Sequence, residues 1–569
     1  MLRNYLKTAL RNLWTNKSYG FLNLIGLAVG IACAALILRW VADELAYNHQ
    51  FEKRNVLYRV MENQTYDGIT STFRATPGPF AGAVKAEIPG VRNTARMGWD
   101  ERALFARGDQ AIYEKGHYVD SAFFSMFTLP FVKGKARGAF DQVHTLVISE
   151  KMANRFFGKA DPIGKTLKVN NERDYTVTGV VRDLPANTSF EFDWLAPFIL
   201  FEAKNTWLKE WGNNGIATFV ELQPAADPAA VDKQLYGFLK TKAATVETKC
   251  FLFSVNEWRL YDKFQDGKQA GGRIKYVKLF TLIAWIILLI ACVNFMNLAT
   301  ARSEQRAREV GVRKVLGADQ RMLVGQFMGE SLVMSSVAVL VAVGLVYAAL
   351  PGFNALVEKK LTFNVFDPVY AGGLLAIGLV SGLIAGSYPA FYLSSFNPVA
   401  VLKGLRIKTN AGAGFVRKGL VVAQFAVSMV LMIGTGIVYQ QVQHVKDLPL
   451  GYDRQNLIYL DLRGNLADHF SAVKSDLLAT GVVSNAATSN STVLELGSNG
   501  SGWAWPGKDP TREVLITQEG VSPEYLTTMG MQLRAGRDFY PNAAADSNHV
   551  IINETLAKLI AQDGAAKNV

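Results

Sequence analysis

Five long runs of apolar residues divide the 569-residue chain. A helix needs about 20 residues to cross the hydrocarbon core of a bilayer. Each run is long enough for this, and none has an acidic or basic residue near its centre. The pattern therefore predicts five membrane-spanning helices, at residues 19–41, 276–300, 331–350, 370–392 and 420–441.

The two long segments outside these runs have a different pattern. Residues 42–275 combine a β-rich run at 175–181 with a short helical segment after Ser149, which is a candidate N-cap. Residues 442–569 share part of this pattern. We therefore predict a polytopic α-helical membrane protein with α+β extracytoplasmic domains at 42–275 and 442–569.

The basic residues predict the orientation in the membrane. Segments 1–18, 301–321 and 393–418 carry net charges of +4, +3 and +5, which account for the net charge of +12 of the whole chain. All three lie on one side of the membrane if the five spans are correct. Because basic loops face the cytoplasm, we expect a cytoplasmic N-terminus and a bacterial inner-membrane location. Nucleic-acid binding is then left without support.

The cytoplasmic side is predicted to hold three elements. Residues 1–18 have an apolar stripe opposite basic residues, which is typical of a helix lying on membrane lipids. Residues 301–318 are expected to form a charged helix between two spans. Residues 393–419 are expected to be a linker. The first span is too long for a signal peptide, so we interpret it as a retained anchor.

The second outer segment repeats part of the first. Residues 521–525 align with 119–123, and residues 551–557 align with 147–153 after a two-residue insertion. Each copy follows a span that begins directly after a basic segment. This indicates a parallel tandem repeat of one span, an outer domain and three spans, with the second copy incomplete. We interpret the chain as a truncated form of an eight-span protein.

The charged segment between the second and third spans is the most informative motif. It reads Arg-Glu-Val-Gly-Val-Arg-Lys-Val-Leu-Gly-Ala at 308–318. Gly317 is a natural helix terminus, and Asp319 can cap the next helix. A loop that only joined two spans would not need the apolar residues among these charges. A basic topology signal is the alternative that the pattern alone leaves open.

With several other segments, this motif resembles the FtsX-like permease family, which includes macrolide exporters of the MacB type and lipoprotein-release permeases. The resemblance covers nearly the whole chain. It rests on residues 308–318, on Gly-Ser-Tyr-Pro-Ala at 386–390 and on residues 398–404. In the first outer segment, residues 157–165 and 187–190 resemble a MacB-like periplasmic core domain.

The resemblance implies how the chain would work. The helix at 301–318 would be a coupling helix that docks in a groove of a cytoplasmic ABC ATPase dimer. ATP would be bound by that partner and not by this chain, and a periplasmic adaptor is a second candidate partner. The residues implied in ATPase coupling are Arg306, Glu309, Val310, Gly311, Val312, Arg313, Lys314, Leu316 and Gly317.

No phosphate-binding loop is predicted within the chain. Residues 158–166 resemble a P-loop, but five residues instead of four separate the two glycines, and the segment is expected outside the cell. We expect a structural turn there, an ATPase on a separate polypeptide, and no catalytic, cofactor or metal site. His117 and His144 are expected to be surface or packing residues. The three cysteines are too few and too scattered for a disulfide framework.

Five glycines occur at four-residue spacing within two predicted spans. Gly26 and Gly30 lie in the first span, and Gly378, Gly382 and Gly386 lie in the fourth. Such spacing lets helix backbones approach closely. The pattern does not distinguish a dimerisation or gating face from ordinary packing within the chain.

Three classes of function are compatible with these features. The leading class is the permease subunit of an ABC-type transporter, in which a separate ATPase drives the outer domains and exports antimicrobial compounds, peptides or lipoproteins. An FtsX-like regulator of a periplasmic cell-wall hydrolase would use the same machinery. An ion-coupled secondary transporter is disfavoured, because such proteins place ionisable residues inside their spans.

Overall fold

A computed structural model describes residues 17–243, 247–394, 411–494, 498–541 and 546–562. Residues 1–16 of the predicted interfacial helix and residues 395–410 of the predicted linker lie outside these ranges. In chain order, the described helices are α1 (Lys17–Leu45), α2 (Phe80–Glu87), α3 (Ala122–Met126), α4 (Glu150–Phe157), α5 (Phe198–Lys204), α6 (Pro228–Leu235), α7 (Phe238–Lys242), α8 (Ile274–Val315), α9 (Gln320–Val357), α10 (Pro368–Ser394), α11 (Ala411–Asp447), α12 (Phe470–Ala479), α13 (Tyr525–Met529) and α14 (Glu554–Gln562).

Five of these helices, α1 and α8 to α11, are long and apolar enough to cross a membrane. They coincide with the five predicted spans, which are confirmed as helices of sufficient length. Helices α1, α8, α9 and α10 pack together around a core of small and apolar side chains that includes Leu27, Ile31, Ala338 and Ala342. None of the described side chains of α11 is buried, so this helix stands beside the bundle.

Two helix boundaries differ from the predicted ones. The charged segment at 301–318 is not a separate helix, because α8 continues from the second span as far as Val315. The chain from 274 to 315 contains no proline and only one glycine, Gly311, so nothing in it forces a break. Helix α9 likewise extends to Val357, which makes residues 351–357 helical and not part of an outer loop.

The outer domain between α1 and α8 is built on one large sheet. Its strands are β1 (Leu57–Tyr66), β2 (Ile69–Phe73), β3 (Thr76–Pro77), β4 (Val91–Met97), β5 (Glu101–Arg107), β6 (Gln110–Val119), β7 (Phe131–Gly134), β8 (Thr145–Ser149), β9 (Thr166–Val169), β10 (Arg173–Val181), β11 (Trp194–Pro197), β12 (Asn214–Leu222) and β13 (Lys249–Ser254). The order is β11-β8-β10-β9-β5-β6-β4-β12-β1-β13. Outside this order, β2 pairs with β1, β3 pairs with β12 and β7 pairs with β10.

The sheet has a closed part and an open part. Strand β11 pairs with both β8 and β6, which closes six strands into a ring. Large buried side chains, including Phe105, Tyr118 and Trp194, form the core beside this ring. The open part carries α2, α6 and α7, which cover β1, β12 and β13 with a second apolar core. The predicted α+β domain is therefore present, as one continuous sheet.

The second outer segment has less regular structure. The first outer segment ends with a hairpin of β14 (Lys263–Gln265) and β15 (Lys268–Gly271). After α11, the second outer segment contains α12, α13, α14 and a two-stranded sheet of β16 (Ser498–Gly500) and β17 (Ile516–Gln518). Within the described ranges, residues 549–553 lie beside no strand. In the first copy, by contrast, β8 is held between β10 and β11.

Candidate functional site

The turn between α8 and α9 is fixed by its own sequence. Gly317 has a φ of +94°, a left-handed conformation that glycine adopts without strain. The amide of Ala318 donates to the carbonyl of Arg313, and that of Gly317 donates to the carbonyl of Lys314. This pair of bonds is the Schellman motif that ends a helix. Asp319 then caps α9, because its carboxylate accepts from the Gln320 amide at 2.7 Å.

One face of the last turn of α8 is buried in the bundle. Val310 is 2% exposed and packs with Leu323 and Phe327 of α9 and with Ala390 of α10. Gly311 is also buried. The structure therefore places Val310 among the packing residues, and it is not available as the docking contact that the resemblance implied. The reason is helical geometry, since only one face of a helix can face the bundle.

The opposite face is apolar and exposed. Val315 and Leu316 lie three and four residues after Val312, so they share one side of the helix with it, and Leu316 is 81% exposed. Met322, on the first turn of α9, is exposed as well. We call these four residues the coupling face. Val315 and Met322 are additions to the residues that the resemblance implied.

The polar candidates lie between these two faces. Arg313 donates to the Gln326 side-chain oxygen at 2.8 Å, and Gln326 in turn donates to Glu330 at 3.2 Å. Arg313 and Lys314 are partly exposed. Arg306 and Glu309 lie on α8, but their side chains are outside the described part of the structure.

The glycine pairs serve packing between helices of the same chain. A Cβ on Gly30 would collide with Ala291 of α8, and one on Gly386 would come within 2.7 Å of the Ser331 Cβ of α9. A Cβ on Gly382 would lie 3.1 Å from the Ser335 Cβ. Gly26 approaches α8 and Gly378 approaches α9 in the same way. These faces are occupied within the chain, so the packing interpretation is the one that the structure supports.

At the other side of the membrane, a cluster of ion pairs joins three parts of the chain. Glu44, near the end of α1, has a fully buried carboxylate that accepts from Arg259 Nε at 2.9 Å and lies 2.6 Å from Lys359 Nζ. Arg273, just before α8, lies 3.7 Å from the same carboxylate. Asp43 also accepts from Lys359, at 2.7 Å. We call these five residues the outer joint.

The electrostatics of the outer joint favour its ionised form. Burial alone would lower the pKa of Arg259, but the hydrogen bond and the charge of Glu44 raise it above its ordinary value. A buried charge is tolerated only when it is paired and hydrogen-bonded. The cluster therefore holds the end of α1, the start of α8 and the segment after α9 together.

A second set of contacts fixes the turn that follows α1. Asn48 is buried in a left-handed conformation, with a φ of +64°. Its side chain donates to Ser189 Oγ at 2.8 Å and accepts from the Ser189 amide at 2.8 Å, and it also donates to the carbonyl of Val255. The Tyr47 hydroxyl donates to the carbonyl of Thr188 at 2.6 Å. Through these hydrogen bonds, the motif at 187–190 holds the outer domain against the turn that follows the first span.

The segment that resembles a P-loop is a turn between a helix and a strand. Gly158 and Gly164 have φ values of +57° and +76°, and the chain continues into β9 and not into a helix. His117 is buried in the domain, with Nδ1 3.3 Å from the Gly98 carbonyl oxygen, and the ring of His144 packs on Tyr175. The three cysteines are free thiols. Within the described ranges, no group of three metal-ligating side chains is placed to hold an ion.

Two family models match the chain. The MacB-like periplasmic core domain matches residues 21–236, and the FtsX-like permease C-terminal domain matches residues 281–398. The first covers α1 and most of the outer domain. The second covers most of α8, the coupling face, α9 and α10.

Curated relatives are similar at low identity. The macrolide export ATP-binding/permease protein MacB of Bdellovibrio bacteriovorus is 29% identical over 263 residues, 45% of this chain and 38% of the relative. The uncharacterized ABC transporter permease YvrN of Bacillus subtilis is 23% identical over 420 residues, 70% of this chain and 99% of the relative. The pyoverdine export ATP-binding/permease protein PvdT of Pseudomonas syringae pv. tomato is 26% identical over 423 residues, 70% of this chain and 59% of the relative. The chain thus spans less than two thirds of the length of MacB and PvdT.

Solved structures are similar to part of the chain. A permease domain from Porphyromonas gingivalis is 25% identical, covers 37% of this chain and 98% of its own, and has a TM-score of 0.32. The periplasmic region of MacB from Actinobacillus actinomycetemcomitans is 14% identical, and the match covers 37% of this chain and 96% of that region, with a TM-score of 0.28.

Proposed function

The chain carries a MacB-like periplasmic core domain and an FtsX-like permease domain, and from this premise we propose that it is the permease subunit of an ABC-type exporter driven by a separate ATPase dimer. The coupling face is the observation that carries the proposal. Relatives named for macrolide export and pyoverdine export support export as the direction of transport. The proposed cargo is an antimicrobial compound, a peptide or a lipoprotein.

The coupling face has the composition of a docking surface. Apolar side chains are exposed at the end of a membrane-spanning helix, on the side that the basic residues predict to be cytoplasmic. Contiguous exposed apolar groups with a polar rim are typical of protein–protein contacts. Val312, Val315 and Leu316 would enter a groove of the ATPase, while Arg313 and Lys314 would form the rim.

The outer joint supplies the second half of the proposed mechanism. We place the chain in the bacterial inner membrane with the core domain in the periplasm, as the basic segments indicate. ATP, bound by the partner and not by this chain, would move the coupling face. Helix α8 runs without interruption from the coupling face to Arg273, so that movement would reach the outer domain through the joint. A periplasmic adaptor would then receive the exported molecule.

We further propose that residues 442–562 contain a second copy of part of the outer domain. Local geometry at aligned positions supports this. Ser149 caps α4 by accepting from the Met152 amide at 3.1 Å, and the aligned Asn553 caps α14 by accepting from the Leu556 amide at 2.9 Å. Gly134 and the aligned Gly536 have φ values of +73° and +80°.

The test of the permease assignment is co-purification of an ATPase from native membranes. The tagged chain should bring down a protein with nucleotide-binding motifs and ATP-hydrolysing activity. The double variant Val315→Asp, Leu316→Asp should reduce the recovered ATPase by roughly tenfold or more, because two carboxylates would have to enter an apolar groove.

A matched control uses the same residue types far from the coupling face. Val482 and Leu494 are highly exposed in the second outer segment. The variant Val482→Asp, Leu494→Asp should recover as much ATPase as the unmodified chain. Equal recovery with the coupling-face variant, or no ATPase with the unmodified chain, would overturn the proposal.

A further inference from the structure

A cavity of about 940 Å³ lies under the outer domain, at the outer ends of α1, α8 and α9. This volume is within the range of small-molecule sites. The cavity is bounded by the membrane helices on one side and by the loop at 182–193 and the segment 358–361 on the other. The coupling face lies at the other end of α8 and does not account for it.

The side of the cavity that belongs to the helices is apolar. Trp40 of α1 and Phe280 of α8 pack edge to face with ring centroids 5.3 Å apart. Phe353 and Leu356 of α9 extend this surface, and Leu356 is 80% exposed. All four residues lie at the outer ends of helices that can cross a membrane. Aromatic side chains are enriched at this depth, where acyl chains meet headgroups.

The opposite side of the cavity is charged. Two of its acidic residues, Asp43 and Asp193, are already paired with Lys359 and Lys151. Arg182 is exposed and has no hydrogen bond or ion pair from its side chain in the described ranges. Lys360 is likewise exposed, and its side chain has no hydrogen bond or ion pair in the described ranges.

Two cations on this charged side are therefore available to a ligand, and they come from different segments of the chain. Arg182 lies on the loop of the outer domain, and Lys360 lies on the segment that follows α9. A guanidinium and an ammonium are the side chains that bind phosphate most readily. Asp183 follows Arg182 in sequence, Glu358 lies two residues before Lys360, and both acids line the cavity, so a headgroup with an added positive charge would be tolerated.

We propose that this cavity is a binding site for a glycerophospholipid of the surrounding outer leaflet. The acyl chains would lie against Trp40, Phe280 and Leu356, and the phosphate would be held between Arg182 and Lys360. The lipid would reach the site laterally from the bilayer, because the apolar wall belongs to membrane-spanning helices. Binding would require neither ATP nor the ATPase, so it is independent of the proposed export function.

Photoaffinity labelling of the purified full-length chain in a phosphate-free detergent tests this site. Three diazirine probes with the same acyl chains are used: phosphatidylglycerol, phosphatidylethanolamine and diacylglycerol. We expect both phospholipids to label peptides that contain residues 353–361 or 37–41. Diacylglycerol, which lacks the phosphate, should label these peptides at least fivefold less.

Variants separate the site from general lipid contact. Arg182→Gln combined with Lys360→Gln should lower phospholipid labelling by about 25-fold, since each cation contributes a factor of about five. Arg102→Gln combined with Lys268→Gln changes two exposed cations that do not line the cavity and should leave the labelling unchanged. Leu356→Gln should lower labelling by all three probes, because it puts a polar side chain into the apolar surface that would contact the acyl chains.

The proposal fails if diacylglycerol labels the two peptides as well as the phospholipids do. It also fails if the Arg182 and Lys360 variant keeps its labelling, or if the label is spread evenly over all membrane helices. The melting temperature of each variant is measured first, so that loss of labelling is counted only for a folded chain. If the double variant does not fold, Lys360→Gln alone, in which only an exposed side chain changes, provides the same comparison at about fivefold.

Discussion

Glu62 lies in the middle of β1 with no exposed surface. It faces Cys250 of the neighbouring strand β13 and accepts a hydrogen bond from Gln64 at 2.7 Å. The second oxygen of its carboxyl group has no hydrogen-bond partner in the described ranges. Burial raises the pKa of Glu62 to about 8, and the bond from Gln64 offsets only part of this effect. The group is therefore neutral in the folded domain at neutral pH.

This pKa predicts how stability depends on pH. Between about pH 4.5 and pH 8 the folded chain holds a proton on Glu62 that the unfolded chain releases. Unfolding then releases a proton, so stability falls as pH rises through this window. Glu62→Gln, which imitates the neutral form, should flatten this dependence by about 4 kcal/mol between pH 5 and pH 9.

Thermal unfolding of the full chain in detergent at pH 5, 7 and 9 measures this effect. Glu172→Gln, at an exposed position, is the control and should leave the pH profile unchanged. If the Glu62→Gln chain loses as much stability between pH 5 and pH 9 as the unmodified chain, the carboxyl group is not neutral in the folded state.

Local features of single residues were predictable from the sequence. Gly317, Asp319 and Ser149 were assigned to helix ends, and each is confirmed there because capping depends on only a few neighbouring residues. The burial of Val310 was not predictable. The segment has apolar residues on both sides of the helix, and only the packing of α9 and α10 decides which side faces inward.

At the scale of elements, Lys359 is the residue on which the outer joint converges. It is largely buried and contacts the carboxylates of both Asp43 and Glu44. Removing one partner from a buried ion pair typically costs about 3–5 kcal/mol, because the remaining charges lose their compensation. Lys359→Ala should therefore destabilise the chain by about 3 kcal/mol and should increase amide hydrogen exchange at 42–50 and 255–262.

Lys360→Ala is the neighbouring control. Lys360 is exposed and outside the ion-pair network, so its removal should change the stability by less than about 0.5 kcal/mol. Unfolding in detergent and hydrogen exchange followed by mass spectrometry measure both variants. A Lys359→Ala chain as stable as the control would show that the joint does not hold these segments together.

The outer joint could not be predicted from the sequence. Glu44 and Arg259 are 215 residues apart, and Asp43 and Lys359 are 316 residues apart. No local pattern relates such positions, and each residue alone looks like an ordinary charge at the end of a span. The motif at 187–190 was noted only for its resemblance, and its role as the partner of Asn48 became visible in the folded chain.

At the scale of the whole molecule, the spans and the outer domain were predictable because hydropathy and basic residues are summed over many positions. The order of the strands was not, because β1 lies between β12 and β13, which follow it by about 150 residues or more. The predicted separation of the second span from the charged helix was wrong for a related reason. A change from apolar to charged residues marks the membrane boundary but does not end a helix.

The continuity of α8 leads to a prediction about coupling. Ala299→Pro should interrupt the helix, because proline removes a backbone hydrogen bond and clashes with the preceding turn. The coupling face lies beyond the break and is unchanged, so the proposed ATPase should still co-purify. The response of the outer domain to ATP, followed by hydrogen exchange at 182–193, should be lost.

Ala299→Ser keeps the helix and should keep the ATP response. If the proline variant responds to ATP as fully as the serine variant, coupling does not pass along α8. Loss of ATPase binding in the proline variant would instead place the break close enough to disturb the coupling face.

The 42 residues of α8 amount to a rod about 63 Å long. The membrane-spanning part of this rod is Ile274–Thr300, so a pivot near the middle of the bilayer divides it into a periplasmic arm of about 20 Å and a cytoplasmic arm of about 42 Å. A tilt of about 10° would move the periplasmic tip through about 3.5 Å and the cytoplasmic tip through about 7 Å, in opposite directions. The stroke at the periplasmic tip would thus be about half the stroke at the cytoplasmic tip, which is how a lever with unequal arms trades amplitude for force.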